Sequence, residues 1–210
     1  MAGQSTHARV VDAALRCLAS EGLRRTTVDD VAVEAGVSRA TLYRAFPGGR
    51  ETILMAVVDA ETDRLFDAVA AAVAPAEGLG EALVAGLGCA ARWLTTHAAL
   101  ERVMFDEPAV VLTHHEFEQL DRTLAHCSRR LAPMLAPWLD ADAAARAGEL
   151  AARVCVSYLL FPGDDVDLGS PGPLERLVER HVLPGVRALA GQPPRRVGVA
   201  SGETVSTKLS

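Results

Sequence analysis

An all-α fold is what this 210-residue sequence predicts, and three observations predict it. Apolar residues recur at three- and four-residue spacing along most of the chain, and no segment alternates with the two-residue period of a half-buried strand. Half of the residues are hydrophobic but only 4% are aromatic, so the core must be built from Ala, Leu and Val, a mixture that favours helices. Gly and Pro gather between the periodic stretches, at 47–49, 75–78 and 162–173.

The first helix rests on Val10, Ala13, Ala14, Cys17 and Leu18, a single apolar stripe. The second begins at Val28, with Val31, Ala32 and Ala35 following at i+3, i+4 and i+7. Thr27 is placed as its N-cap, Asp29 and Asp30 suit the positive end of its dipole, and Gly36 ends it. Ser38 caps a third helix in which Leu42 and Phe46 turn inward, and Pro47, Gly48 and Gly49 stop it. Three short helices with a tight turn before the last make a helix-turn-helix domain, which a DNA major groove accommodates.

The outer face of the third helix carries Arg39, Thr41, Tyr43 and Arg44, and no acid lies between Ser38 and Arg50. The guanidinium groups of Arg39, Arg44 and Arg50 suit phosphates, and the hydroxyls of Thr27, Ser38, Thr41 and Tyr43 are donors for phosphate oxygens. Backbone N–H groups at the helix starts, Ala40 among them, add further donors. Arg39 or Arg44 alternatively donates a fork of hydrogen bonds to a guanine edge. The competing reading is an ordinary solvated surface of a small bundle.

The stretch GVSRATLYRAFPGGRETIL resembles the signature of the tetracycline-repressor (TetR) family, the resemblance resting on Gly36, Val37, Ser38, Thr41, Leu42, Tyr43, Phe46, Glu51 and Leu54. It covers roughly the first quarter of the chain. Arg50 stands where the family usually has Lys, Ala45 where a His or aromatic residue often sits, and the Pro-Gly-Gly run re-aims the start of the fourth helix. The resemblance implies a DNA-binding domain over 1–51, a helical effector-binding and dimerisation domain over 52–190, and a homodimer on a palindromic operator.

Beyond the first domain, the pattern predicts helices over 52–74, 81–97, 98–107, 114–135 (interrupted near Pro133 and Pro137), 140–161 and 174–189. The small residues Ala143, Ala144, Ala147 and Ala151 allow close approach of another helix, and Leu174, Leu177, Val178 and Val182 line one side of the last. The resemblance implies that this final pair meets its copy in a second subunit. The alternative is that it only completes the core of one chain. Residues 191–210 have no helical period and read as a disordered tail.

The formal net charge is −6, yet it is unevenly distributed. Residues 1–55 hold seven arginines against six acids, a net of +1, whereas the remainder holds 14 basic against 21 acidic residues, a net of −7. A basic face on an acidic body docks on DNA without wrapping it. Cys17, Cys89, Cys127 and Cys155 are scattered, as expected of core thiols in a reducing compartment. With no signal peptide and no long apolar run, a cytoplasmic location is expected.

The family usually holds an effector among its middle helices, and the candidate residues are Trp93, His97, Arg102, Phe105, Phe117, His126 and Tyr158. An arginine there (Arg102, Arg129 or Arg153) suits a carboxylate or phosphate headgroup, unless it pairs with a nearby acid. His114 and Glu118 share an i, i+4 spacing, but two ligands do not make a metal site, and neither metal nor cofactor is expected. No catalytic constellation is present. The expectation is a DNA-binding regulator, a repressor released by a small apolar or amphipathic effector, with an effector-free regulator as the alternative.

Overall fold

The computed structural model describes residues 5–100, 102, 117–160 and 167–189, and among them every regular element is helical. The order is α1 (Thr6–Glu21), α2 (Val28–Ala35), α3 (Arg39–Ala45), α4 (Arg50–Val73), α5 (Leu79–Thr96), α6 (Phe117–Leu135), α7 (Ala141–Leu160), α8 (Pro171–Leu177) and α9 (Leu183–Leu189). A π-helical turn, Val178–Val182, joins the last two into one rod. The tail 191–210, the stretch 103–116 with Phe105 and the His114 cluster, and Phe161 lie outside the described residues.

Two apolar cores organise the chain. The first unites α1, α2, α3 and the start of α4 through Val10, Val31, Leu42, Phe46, Ile53 and Val57. Leu42 is fully buried, a contribution of about 2–3 kcal/mol for one leucine. Ala99, far along the sequence, completes this cluster. The second core is formed by the rest of α4 (Val69, Val73), α5 (Leu83, Leu87), α7 (Ala144, Ala147) and the final rod (Leu174, Val178, Val182, Val186). We call the two regions the head and the body; α4 is the helix common to both.

Two details depart from the pattern read in the sequence. Pro133 sits inside α6 without ending it. So close to the C-terminus it removes a single intrahelical bond, and the helix continues to Leu135. The final rod begins at Pro171 rather than Leu174, because proline is well suited to the first turn. The small residues of α7 are filled from within the chain: Ala143, Ala144 and Ala147 are buried, and a Cβ on Gly148 would meet Leu131 Cβ at 3.0 Å. Ser128 Oγ of α6 donates to the Ala145 carbonyl at 2.6 Å across the same close approach. Leu174, Leu177, Val178 and Val182 are likewise buried within the single chain.

Candidate nucleic-acid interface

The turn between α2 and α3 is fixed by local chemistry. Thr27 caps α2 in a capping box: its Oγ1 accepts from the Asp30 amide, and the Asp30 carboxylate accepts from the Thr27 amide at 3.0 Å. Those Thr27 hydrogen bonds hold the exposed Asp30 carboxyl below the usual carboxylate range. Gly36 adopts φ 63°, ψ 40°, a left-handed conformation that costs glycine nothing, and its amide returns to α2. Arg9 of α1 closes the same end, its Nη2 donating to the Ala35 carbonyl at 2.6 Å. Ser38 then caps α3, its Oγ accepting from the Thr41 amide at 3.1 Å.

Leu42 and Phe46 anchor α3 in the head core, which turns Arg39, Ala40, Tyr43 and Arg44 outward, with Thr41 half-buried beside them. Arg44 is exposed with its guanidinium uncommitted among the described residues. Tyr43 is 44% exposed, and its ring edge lies beside Gly49, where a Cβ would approach Tyr43 Cε1 to 3.2 Å. Gly49 has φ 62° and redirects the chain from the 47–49 turn into α4. Ser38 and Thr41 share one hydroxyl hydrogen bond at 2.9 Å, leaving one of their two hydroxyl hydrogens for an outside acceptor. The first-turn amides of Arg39 and Ala40 precede any intrahelical acceptor.

Two residues read from the sequence as DNA donors have other partners. Thr27 donates its only hydroxyl hydrogen to Asp30 Oδ2 at 2.6 Å. Arg50 reaches back over the loop between α1 and α2: its Nε donates to the Thr26 carbonyl at 3.2 Å and its Nη2 to the Leu23 carbonyl. Thr26 itself is buried, its hydroxyl donating to the Gly22 carbonyl at 2.8 Å. The fold also adds what no window of sequence contains. Asp29 of α2 comes to 2.7 Å from Arg39 Nε, so the face that reads as purely basic in sequence has one acid at its edge. Only the turn geometry brings these two residues together.

The body contains an apolar cavity of about 120 Å³ between α4, α5, α6 and α7. Leu65, Phe66, Leu83, Leu87, Leu131 and Val156 contribute to its wall, with Cys127 and Cys155, and among the described residues no lining side chain carries a nitrogen or an oxygen. Burial, and then the nearby Cys127, pushes the Cys155 thiol up to about 11. The residues expected to line an effector site are dispersed. The Trp93 and His97 rings meet tilted, centroids 4.4 Å apart, but in a separate groove between head and body. His126 meets Phe66 edge-on at 5.9 Å, behind the cavity wall. Tyr158 and Arg102 are half-buried elsewhere, Arg129 is exposed, and Arg153 pairs with Glu149 at 2.7 Å. Phe117 begins α6, its side chain outside the described set. The sequence signals were aromatic and charged residues; the cavity is made mostly of Leu, Val, Ala and Cys, which carry no such signal, and of its described lining only Phe66 is aromatic.

Among the described residues no group of three metal-ligating side chains occurs, and no helix is long and apolar enough to cross a membrane. Residues 10–57 match the model of the family described as bacterial regulatory proteins, tetR family. The fold is similar to that of the TetR family repressor AlkX from Dietzia sp. strain DQ12-45-1b, implicated in biodegradation of n-alkanes. That match has 22% identity and a TM-score of 0.67 over 88% of this chain and 96% of that one. It is also similar to the multidrug binding protein EbrR complexed with imidazole (19% identity, TM-score 0.59, 91% and 98% covered). A regulator from Streptomyces coelicolor A3(2) shares the fold at 18% identity and a TM-score of 0.56, with 90% and 100% covered. Among curated proteins none matches the sequence significantly.

Proposed function

We propose, from the premise that this chain is a helix-turn-helix transcription regulator of the tetR family, that it acts as a homodimeric repressor released from a palindromic operator by an uncharged, largely hydrocarbon effector. The observation that carries the proposal is the union, through α4, of a helix-turn-helix head with a body whose cavity is lined, among the described residues, by side chains without nitrogen or oxygen. Against these described walls a carboxylate or phosphate would find no side-chain partner, and desolvating it there would cost more than the contacts return. This narrows the effector from amphipathic to apolar. The Dietzia repressor, implicated in n-alkane biodegradation, points to the same chemical class.

On the DNA side, Arg39, Arg44 and Tyr43, the spare hydroxyl of the Ser38–Thr41 pair and the amides of Arg39 and Ala40 contact the duplex. Thr27 and Arg50 serve instead to hold that surface in place. One recognition helix covers a short half-site, so two-fold pairing in the cytoplasm, next to the chromosome, doubles the contacts. Release follows only if the effector binds the DNA-incompetent arrangement more tightly than the competent one.

The test is native mass spectrometry of the purified chain for a retained hydrocarbon, followed by titration of n-alkanes and terminal alkenes against a labelled operator. Release of the operator by at least one hydrocarbon is expected, and its loss in Ala151→Leu, which fills the cavity. Operator affinity indifferent to every hydrocarbon up to its solubility would leave an effector-free regulator as the better reading.

A further inference from the structure

The two cores do not meet directly along α4. Ala60 is the last residue of α4 packed on the head core and Leu65 the first packed on the body core, so residues 61–64 form a seam between them. A connected set of polar side chains occupies this seam. Glu61 Oε2 lies 2.7 Å from His97 Nε2, and both side chains are largely buried, 13% and 15% exposed. The Leu100 amide donates to His97 Nδ1 at 3.2 Å, which places the ring proton on Nε2, directed at Glu61. Arg64 Nη1 donates to the other oxygen of Glu61, and Arg64 Nη2 donates to Asp12 Oδ1 of α1 at 2.6 Å.

We infer that Asp12, Arg64, Glu61 and His97 form a strut that fixes the angle between head and body, and so decide which spacing of operator half-sites the regulator accepts. The inference rests on the dimeric, DNA-bound reading above. The strut ties three separate segments: α1 of the head, the middle of α4, and the end of α5, just before Ala99 enters the head core. Apolar packing on either side tolerates small rotations, because Leu, Val and Ala contacts are non-directional. Hydrogen-bonded charges within this seam do not, since their geometry is narrow.

Leverage makes the angle matter. From Glu61 back to the start of α4 at Arg50 is about 17 Å at 1.5 Å per residue, and a further helix-packing distance of about 9 Å reaches the recognition helix. The two distances lie at right angles and give an arm of roughly 19 Å, so a rocking of about 5° moves each recognition helix by about 1.7 Å, and two subunits together shift by about one base-pair step. Leu65 and Leu94 line both the body cavity and the groove at this seam, so a molecule filling the cavity presses on the layer that backs the strut.

The experiment uses the full chain and a duplex that the wild type selects from random sequence. That duplex is remade with its centre one base pair shorter and one longer, and dissociation constants are read by fluorescence anisotropy. The wild type is expected to lose about tenfold or more on either change, comparable to a serious base mismatch. Arg64→Gln, Asp12→Asn and His97→Gln are each expected to reduce that spacing penalty about threefold or more. Asp12→Glu, whose carboxylate still reaches Arg64, is expected to retain the wild-type penalty. Asp12→Asn removes a single charge without altering shape, so a measurement survives even if His97→Gln does not fold. An unchanged penalty in Arg64→Gln and Asp12→Asn overturns the inference, and so does an equal loss of affinity at all three spacings, the mark of a merely structural role. If the wild type selects no duplex, the functional reading fails first and the strut has no operator to measure.

Discussion

Replacing Arg50 by alanine separates two roles that the sequence alone does not distinguish. As a phosphate ligand, Arg50 would contribute about 0.9 to the slope of log affinity against log salt for each phosphate it neutralises, about twice that in a dimer. The geometry assigns it instead two hydrogen bonds to the Thr26 and Leu23 carbonyls of the loop ahead of α2. Hydrogen bonds from a charged donor contribute about 1.5–3 kcal/mol each, and solvent exposure of this guanidinium reduces the pair to roughly 2 kcal/mol together. Against a total stability of about 5–15 kcal/mol the variant stays folded. Its Tm is expected to fall by roughly 4–8 °C for a chain of this size, with the salt slope unchanged. Arg44→Ala is the control: its slope should fall by about 0.9 per subunit with stability within about 0.5 kcal/mol of wild type. The assays are thermal unfolding by circular dichroism and anisotropy titrations between low and moderate salt. A variant Arg50→Ala that melts like wild type but loses slope as Arg44→Ala does would refute the loop-holding role of Arg50 and restore the phosphate contact.

Gly36→Ala forces a side chain into a left-handed backbone, at a cost of about 1–2 kcal/mol. Its Cβ would also crowd Arg9 Nη2 at 3.3 Å, so the Tm should drop; an unchanged Tm would show the turn relaxes elsewhere. Cys155, with its folded pKa raised from 9.0 to about 11, contributes stability that is complete below pH 9 and declines as pH rises toward 11. Urea midpoints measured from pH 8 to 10.5 should therefore fall more in wild type than in Cys155→Ala, and parallel curves would remove the thiol from the account.

How much of this was legible in sequence depends on the range of the interaction. The caps at Thr27 and Ser38, the left-handed Gly36 and the inward Leu42 and Phe46 are all set by neighbours within four residues, and each occupies the place its pattern indicates. Pairings across the fold were not legible. Arg50 on the loop carbonyls, Asp29 on Arg39 and Glu61 on His97 join residues whose adjacency exists only after the α2–α3 turn has formed and α1, α4 and α5 have packed. The cavity was invisible for another reason. Its lining has the same Leu, Val and Ala composition as a filled core, and a void is an absence of atoms rather than a residue type. The apolar stripes of α7 and the final rod were correctly identified as buried faces, but periodicity does not say whether the neighbour is the same chain or another.

Ala99 has a consequence for how the molecule is made. A residue almost completely shielded from water inside the first core arrives there from beyond the end of α5. During translation the first sixty residues therefore leave the ribosome with a notch in their interior, and the notch closes only after some forty more have followed. A fragment cut after α4 would lack that side chain and leave the apolar surface it covers open to water, so the amino-terminal module of this chain is not separable from the rest without loss.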